Sequence, residues 1–124
     1  MVVDDEPAVL DIVQRCLTGA GYRVFLAANA RDALNLCHEK EPDLILSDVS
    51  MPCMSGIELA DCIAALSKPV PMILMSGYPE TSPEVQRLMD RLTGVSFLKK
   101  PFYPKQLTDM IAAALRETRR AGSG

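Results

Sequence analysis

Asp48 ends an apolar run, Leu44-Ile45-Leu46-Ser47-Asp48, and leads into Val49-Ser50-Met51-Pro52-Cys53-Met54-Ser55-Gly56. A hydrophobic strand that stops at a carboxylate and enters a loop punctuated by proline and glycine projects that carboxylate from a sheet edge into solvent. Three other apolar segments end in a comparable way: Val2-Val3 at Asp4-Asp5, Met72-Ile73-Leu74-Met75 at Ser76, and Phe97-Leu98-Lys99 at Lys100. Carboxylates, a hydroxyl and an ammonium are the groups that bind a hard cation and hold phosphate oxygens. The set points to a phosphoryl-accepting aspartate. Three carboxylates meeting in one cleft repel one another by about 4 kcal/mol per close pair at an effective dielectric of roughly 20. Such a cleft needs a cation, or one carboxylate pKa must rise. An oxygen-rich, partly open site suits Mg²⁺.

The elements that must position these residues alternate along the chain. Pro7 suits the first turn of a helix, and Val9, Ile12, Val13, Cys16 and Leu17 recur at helical spacing up to Gly19 and Gly21. Val24, Leu26 and Ala28 alternate with Phe25 and Ala27 as an edge strand. Ala30, Ala33, Leu34 and Cys37 form a second helical face, ended by Pro42. Leu44 to Leu46 is continuously apolar, as in a strand buried on both faces. A helix from Gly56 to Leu66 turns Leu59, Ile63 and Leu66 inward, and Met72 to Met75 is another buried strand. Ser82-Pro83 opens a helix with Val85, Leu88, Met89 and Leu92 on one stripe. Val95 to Leu98 is the last strand, and Pro104 starts a helix carrying Leu107, Met110, Ile111, Ala114 and Leu115. Five strands and five helices in alternation imply right-handed crossovers and a doubly wound parallel sheet. Ligands bind such sheets beyond the carboxyl ends of the strands, where Asp4, Asp5, Asp48, Ser76 and Lys100 all fall.

Composition excludes several classes. At 124 residues, 48% hydrophobic and 23% charged, the chain fits one ordered globular domain. That domain is expected over residues 1–118, followed by a flexible tail over 119–124. A net charge of −3 leaves no surplus of Lys and Arg for direct nucleic-acid binding. No apolar stretch approaches the ~20 residues that span a bilayer, and the acidic opening Asp4-Asp5-Glu6 is unlike a signal peptide. Cys16, Cys37, Cys53 and Cys62 lack disulfide or zinc spacing and read as reduced structural thiols. A cytoplasmic protein is expected.

Four segments in register, Val2-Val3-Asp4-Asp5-Glu6-Pro7, Asp48-Val49-Ser50-Met51-Pro52 with Gly56, Met75-Ser76-Gly77 and Lys99-Lys100-Pro101-Phe102, resemble the receiver domain of two-component response regulators over nearly the whole chain. The resemblance implies a flavodoxin-like five-stranded parallel sheet of order 2-1-3-4-5 with five helices. It implies that Asp48 takes a phosphoryl group from phosphohistidine, and that Lys100 and the Ser76 hydroxyl hold its oxygens. The backbone amide of Gly77 could add a donor. It assigns Mg²⁺ to Asp5, Asp48 and the backbone carbonyl of Ser50, with Asp4 acting through water. Ser76 and Phe97 are the implied switch, and a helix 4–strand 5–helix 5 face from Pro83 to Leu115 the implied output surface. Ser50 and Tyr78 stand where this family tunes phosphoryl lifetime, and a cis peptide is implied at Lys100-Pro101. The implied partners are a histidine kinase or histidine phosphotransfer protein and a downstream effector, without direct contact to nucleic acid or membrane. The short first strand and the Met75-Ser76-Gly77-Tyr78 segment are similar to receivers attached to hybrid histidine kinases, which favours a piece of a longer chain over a stand-alone protein.

Simpler readings stand beside these. Asp4-Asp5-Glu6-Pro7 can cap a helix, Asp48 can form a turn, Phe97 can be plain core, and Met72, Met75, Met89 and Met110 are core positions. His38 lies far from the acidic segments and reads as surface. Two rival functions remain: an aspartyl-phosphate phosphatase or phosphotransferase, and a receiver-shaped binding module that takes no phosphate. The first usually carries a second acid two residues after the nucleophile, where this chain has Ser50. The intact set Asp5, Asp48, Ser76 and Lys100 argues against the second. Beyond reaction at Asp48 itself, no enzymatic activity is expected.

Overall fold

The computed structural model describes residues 1–49, 56–65, 70–76 and 95–123. Along them run β1 (Val2–Val3), α1 (Pro7–Gly19), β2 (Leu26–Ala27), α2 (Ala30–Lys40), β3 (Ile45–Asp48), α3 (Gly56–Ala64), β4 (Met72–Ser76), β5 (Val95–Lys99) and α4 (Pro104–Ser123). The helix expected between Ser82 and Leu92 lies outside the described residues. The five strands are parallel and ordered β2-β1-β3-β4-β5, as expected. Every carboxyl end therefore points the same way, and Asp48, Ser76 and Lys100 gather along one rim with Asp4 and Asp5.

The two-residue period of the strands divides the core. Val2, Leu46, Ile73, Met75 and Leu98 face one side and pack with Val13 and Leu17 of α1 and Leu107 and Ile111 of α4. Val3, Ile45, Met72 and Leu74 face the other and pack with Ala30, Ala33 and Cys37 of α2 and Leu59, Ala60 and Ile63 of α3. Strands covered on both faces explain their unbroken apolar runs.

Local chemistry sets where the helices begin and end. Pro7 is the first residue of α1. That helix closes with a left-handed turn: Gly21 has φ +93°, its amide donates to Thr18 O at 3.0 Å, and the Tyr22 amide donates to Leu17 O at 3.0 Å. Asn29 caps α2, its Oδ1 accepting from the Asp32 amide at 2.8 Å. At the start of α4 the Gln106 side chain reaches back to accept from the Tyr103 amide at 2.7 Å. This bond fixes the helix start just beyond Lys100 and Pro101.

Two details differ from the sequence reading. Ile12 is 67% exposed; at about 100° per residue it lies roughly 120° around α1 from the line of its buried residues, Val13 and Leu17, whereas Leu10 lies only about 40° from that line and packs inward instead. The second strand is confined to Leu26–Ala27, although the Phe25 carbonyl still accepts from the Val2 amide at 2.8 Å. α4 runs on to Ser123. No Pro or Gly interrupts residues 105–121, and Ala, Leu, Arg and Glu dominate the run, so propagation is not stopped.

Cys16, Cys37 and Cys62 are free thiols. Burial pushes the Cys37 thiol above its usual pKa, which disfavours the reactive thiolate. His38 is exposed on α2. Among the described residues, no helix is long and apolar enough to cross a membrane.

Candidate functional site

At the carboxyl rim, β1 delivers Asp4 and Asp5, β3 delivers Asp48, and Lys100 follows β5 directly. Asp4 is fully buried and Asp48 nearly so, whereas Asp5 is exposed. One oxygen from each of the three carboxylates lies within 4.8 Å of the others. The Lys100 ammonium reaches over both buried acids, 3.4 Å from Asp48 Oδ2 and 3.7 Å from Asp4 Oδ2. The peptide bond between Lys100 and Pro101 is cis, as the family resemblance implies.

Asp4 is the most constrained member. Its Oδ1 accepts from the Glu6 backbone amide at 2.9 Å, which ties the carboxylate to the start of α1. Its Oδ2 is buried and makes no hydrogen bond; the contact with Lys100 is an ion pair beyond hydrogen-bonding distance. Burial pushes the Asp4 pKa up. The Glu6 amide opposes this, the Asp48 charge adds to it, Lys100 opposes it and Asp5 adds to it. A buried, unsatisfied carboxylate oxygen beside two further carboxylates is a donor set for a hard, oxygen-seeking cation. The residues present fit Mg²⁺.

Ser76 ends β4 in register with Lys99, so its backbone lies on the same rim; its side chain is outside the described set. Phe97 pairs with Leu74 across β4 and β5 and is half-buried against the core shared by α2 and α3. Ser50, Gly77 and Tyr78 lie outside the described residues. One neighbour was not singled out in the sequence: Ser47, fully buried, whose hydroxyl donates to the Asp48 carbonyl at 3.0 Å. The available signal was a hydroxyl residue inside an otherwise apolar strand.

Comparison with known proteins agrees with this geometry. The family described as response regulator receiver domain matches residues 1–112. The chain is 34% identical over 120 residues to the transcriptional regulatory protein FixJ of Bradyrhizobium diazoefficiens, covering 97% of this chain and 58% of that protein. It is 33% identical over 126 residues to the probable transcriptional regulator ycf27 of Guillardia theta, covering 98% of this chain and 46% of that protein. The crystal structure of a CheY-like response regulator receiver domain protein from Methanospirillum hungatei JF-1 superposes with a TM-score of 0.87 at 30% identity, covering 97% of this chain and 94% of that one. The chain thus spans about half the length of these two curated relatives. Fold, matched residues and relatives agree that this chain belongs to the response regulator receiver domain family of two-component signalling.

Proposed function

We propose that Asp48 is the phosphoacceptor of this receiver and takes its phosphoryl group from a phosphohistidine. The observation that carries the reading is the Lys100 ammonium bridging Asp48 and Asp4, with Asp5 completing the carboxylate set at the same rim. One Asp48 oxygen attacks phosphorus in line, the P–N bond of the phosphohistidine breaks, and the imidazole nitrogen keeps the electron pair. The product is an acyl phosphate on Asp48. Because charge gathers on the transferring oxygens, catalysis is mostly positioning and charge stabilisation. Lys100 holds one oxygen as a compact ammonium, the Ser76 hydroxyl holds another, and the Gly77 amide adds a donor. Asp5, Asp48 and the Ser50 carbonyl would hold Mg²⁺, with Asp4 through water; when bound, the ion offsets the negative charge of the carboxylates and phosphoryl oxygens.

Inward movement of Ser76 toward the phosphoryl group leaves space for Phe97, whose half-buried ring lies beside Leu74. That exchange alters the face from Pro83 to Leu115, the surface offered to a downstream effector. Tyr78 and Ser50 govern water access and hence phosphoryl lifetime. A Tyr78→Ala variant that loses its phosphoryl group no faster than wild type rejects the role given to Tyr78. The donor is a histidine kinase or histidine phosphotransfer protein, and the domain works in the cytoplasm as a signalling element rather than an enzyme with a separate substrate.

Incubation with acetyl phosphate and Mg²⁺, read by intact mass, tests the central claim. A single phosphoryl adduct that is absent in Asp48→Asn is the expected result; a wild type that forms no adduct overturns it.

A further inference from the structure

We infer that Ser47 is a positioning residue for the phosphoryl-transfer step, acting through the peptide unit that follows Asp48. The inference rests on the reading of Asp48 as phosphoacceptor. Ser47 is fully buried in the central strand, in register with Val3 on one side and Leu74 on the other. A parallel strand buried on both faces favours an apolar β-branched residue at such a place. A hydroxyl there costs desolvation unless it is hydrogen-bonded, and here its proton goes to the Asp48 carbonyl at 3.0 Å.

The same peptide unit is held at its other end, where the Val49 amide donates to the Met75 carbonyl at 3.0 Å. A peptide is planar, so fixing both its C=O and its N–H fixes the plane and with it the backbone rotation at Asp48. That rotation sets the direction in which the Asp48 side chain leaves the strand. Reaction in line requires the attacking oxygen to be held close to its productive position, and small misplacements are costly in rate. Ser47 thus supports the nucleophile from the opposite side of the sheet without touching the reacting atoms.

Ser47→Thr and Ser47→Val test this, because the two variants share a shape and differ in the hydroxyl. Initial rates of Asp48 phosphorylation by acetyl phosphate are measured at saturating Mg²⁺, beside the thermal midpoint of each variant. The expected result is a rate about fivefold lower in Ser47→Val than in Ser47→Thr, the scale of one hydrogen bond, with no lower thermal midpoint. A role in packing alone would move the midpoint and not the rate. Equal rates in the two variants overturn the inference. If Ser47→Val fails to fold, Ser47→Ala against wild type decides, and equal rates there overturn it as well. A wild type that takes no phosphoryl group removes the reading of Asp48 and this inference together, whereas failure of the Ser47 comparison alone leaves Asp48 intact.

Discussion

Lys100 Nζ lies 3.4 Å from Asp48 Oδ2, an ion pair that joins the end of β3 to the residue after β5 across the intervening strand β4. The contact spans three strands of the sheet, so each end is placed by strand register rather than by a flexible loop. It also sets one positive charge against two buried acids, since Asp4 Oδ2 is 3.7 Å from the same nitrogen.

Lys100→Met should therefore slow phosphorylation of Asp48 by acetyl phosphate on the order of 100-fold, the usual cost of losing one charge-stabilising group. Lys100→Arg should restore only part of the rate, because a planar fork does not reproduce a compact ammonium. Initial rates by intact mass at fixed Mg²⁺ check both. A Lys100→Met variant as fast as wild type would show that the ammonium serves folding alone.

Asp4 makes stability depend on pH. Its pKa is raised above the ordinary 3.8, chiefly by burial, so the folded chain binds that proton more tightly than the unfolded chain. The stabilisation from this proton is complete below 3.8 and is lost as pH rises through the raised folded-state value. In chelator the wild type should lose this contribution over that window, while Asp4→Asn, which still accepts from Glu6, should show a flatter profile. Added Mg²⁺ should raise the wild-type midpoint at pH 7. Thermal melts from pH 3.5 to 7 check the pair, and an Asp4→Asn variant less stable than wild type at pH 7 in chelator contradicts the assignment.

Gly19 and Gly21 should respond oppositely to alanine. A Cβ at either position meets no atom within 4 Å, but Gly21 has φ +93°. Gly19→Ala, at the last residue of α1, should stabilise by about 0.5–1 kcal/mol. Gly21→Ala should destabilise by about 1–2 kcal/mol through backbone strain alone. Urea titrations of the two variants are enough to separate them.

Asn29→Ala removes the cap of α2 and should cost about 1 kcal/mol, or roughly 3–5 °C in midpoint for a domain of this size. Phosphorylation rates should stay at the wild-type level, since α2 supplies none of the acidic set. A slower rate would mean that α2 reaches the site.

Much of this architecture was legible because burial on both faces leaves unbroken apolar runs, as in Ile45-Leu46 and Ile73-Leu74-Met75. Each described run ends where its polar residue turns out to stand. Ile12 is not legible as exposed, because three- and four-residue spacing is satisfied by more than one stripe and only the sheet decides which one is covered. The Asp4–Glu6 bond was hidden because its donor is a backbone amide, which carries no residue identity. Ser47 is silent in the sequence, since a single hydroxyl in a strand has no spacing to betray it.

The alternation along β3 has a practical corollary. Leu46 faces the core of α1 and α4, while Ile45 faces that of α2 and α3, and Ser47 and Asp48 continue the same alternation. On the role inferred for Ser47, side chains lining the α2–α3 compartment should tune, from behind the sheet, an acid that opens on the other side. Variants with altered signalling speed should be sought there, where the acidic residues and their charge remain untouched.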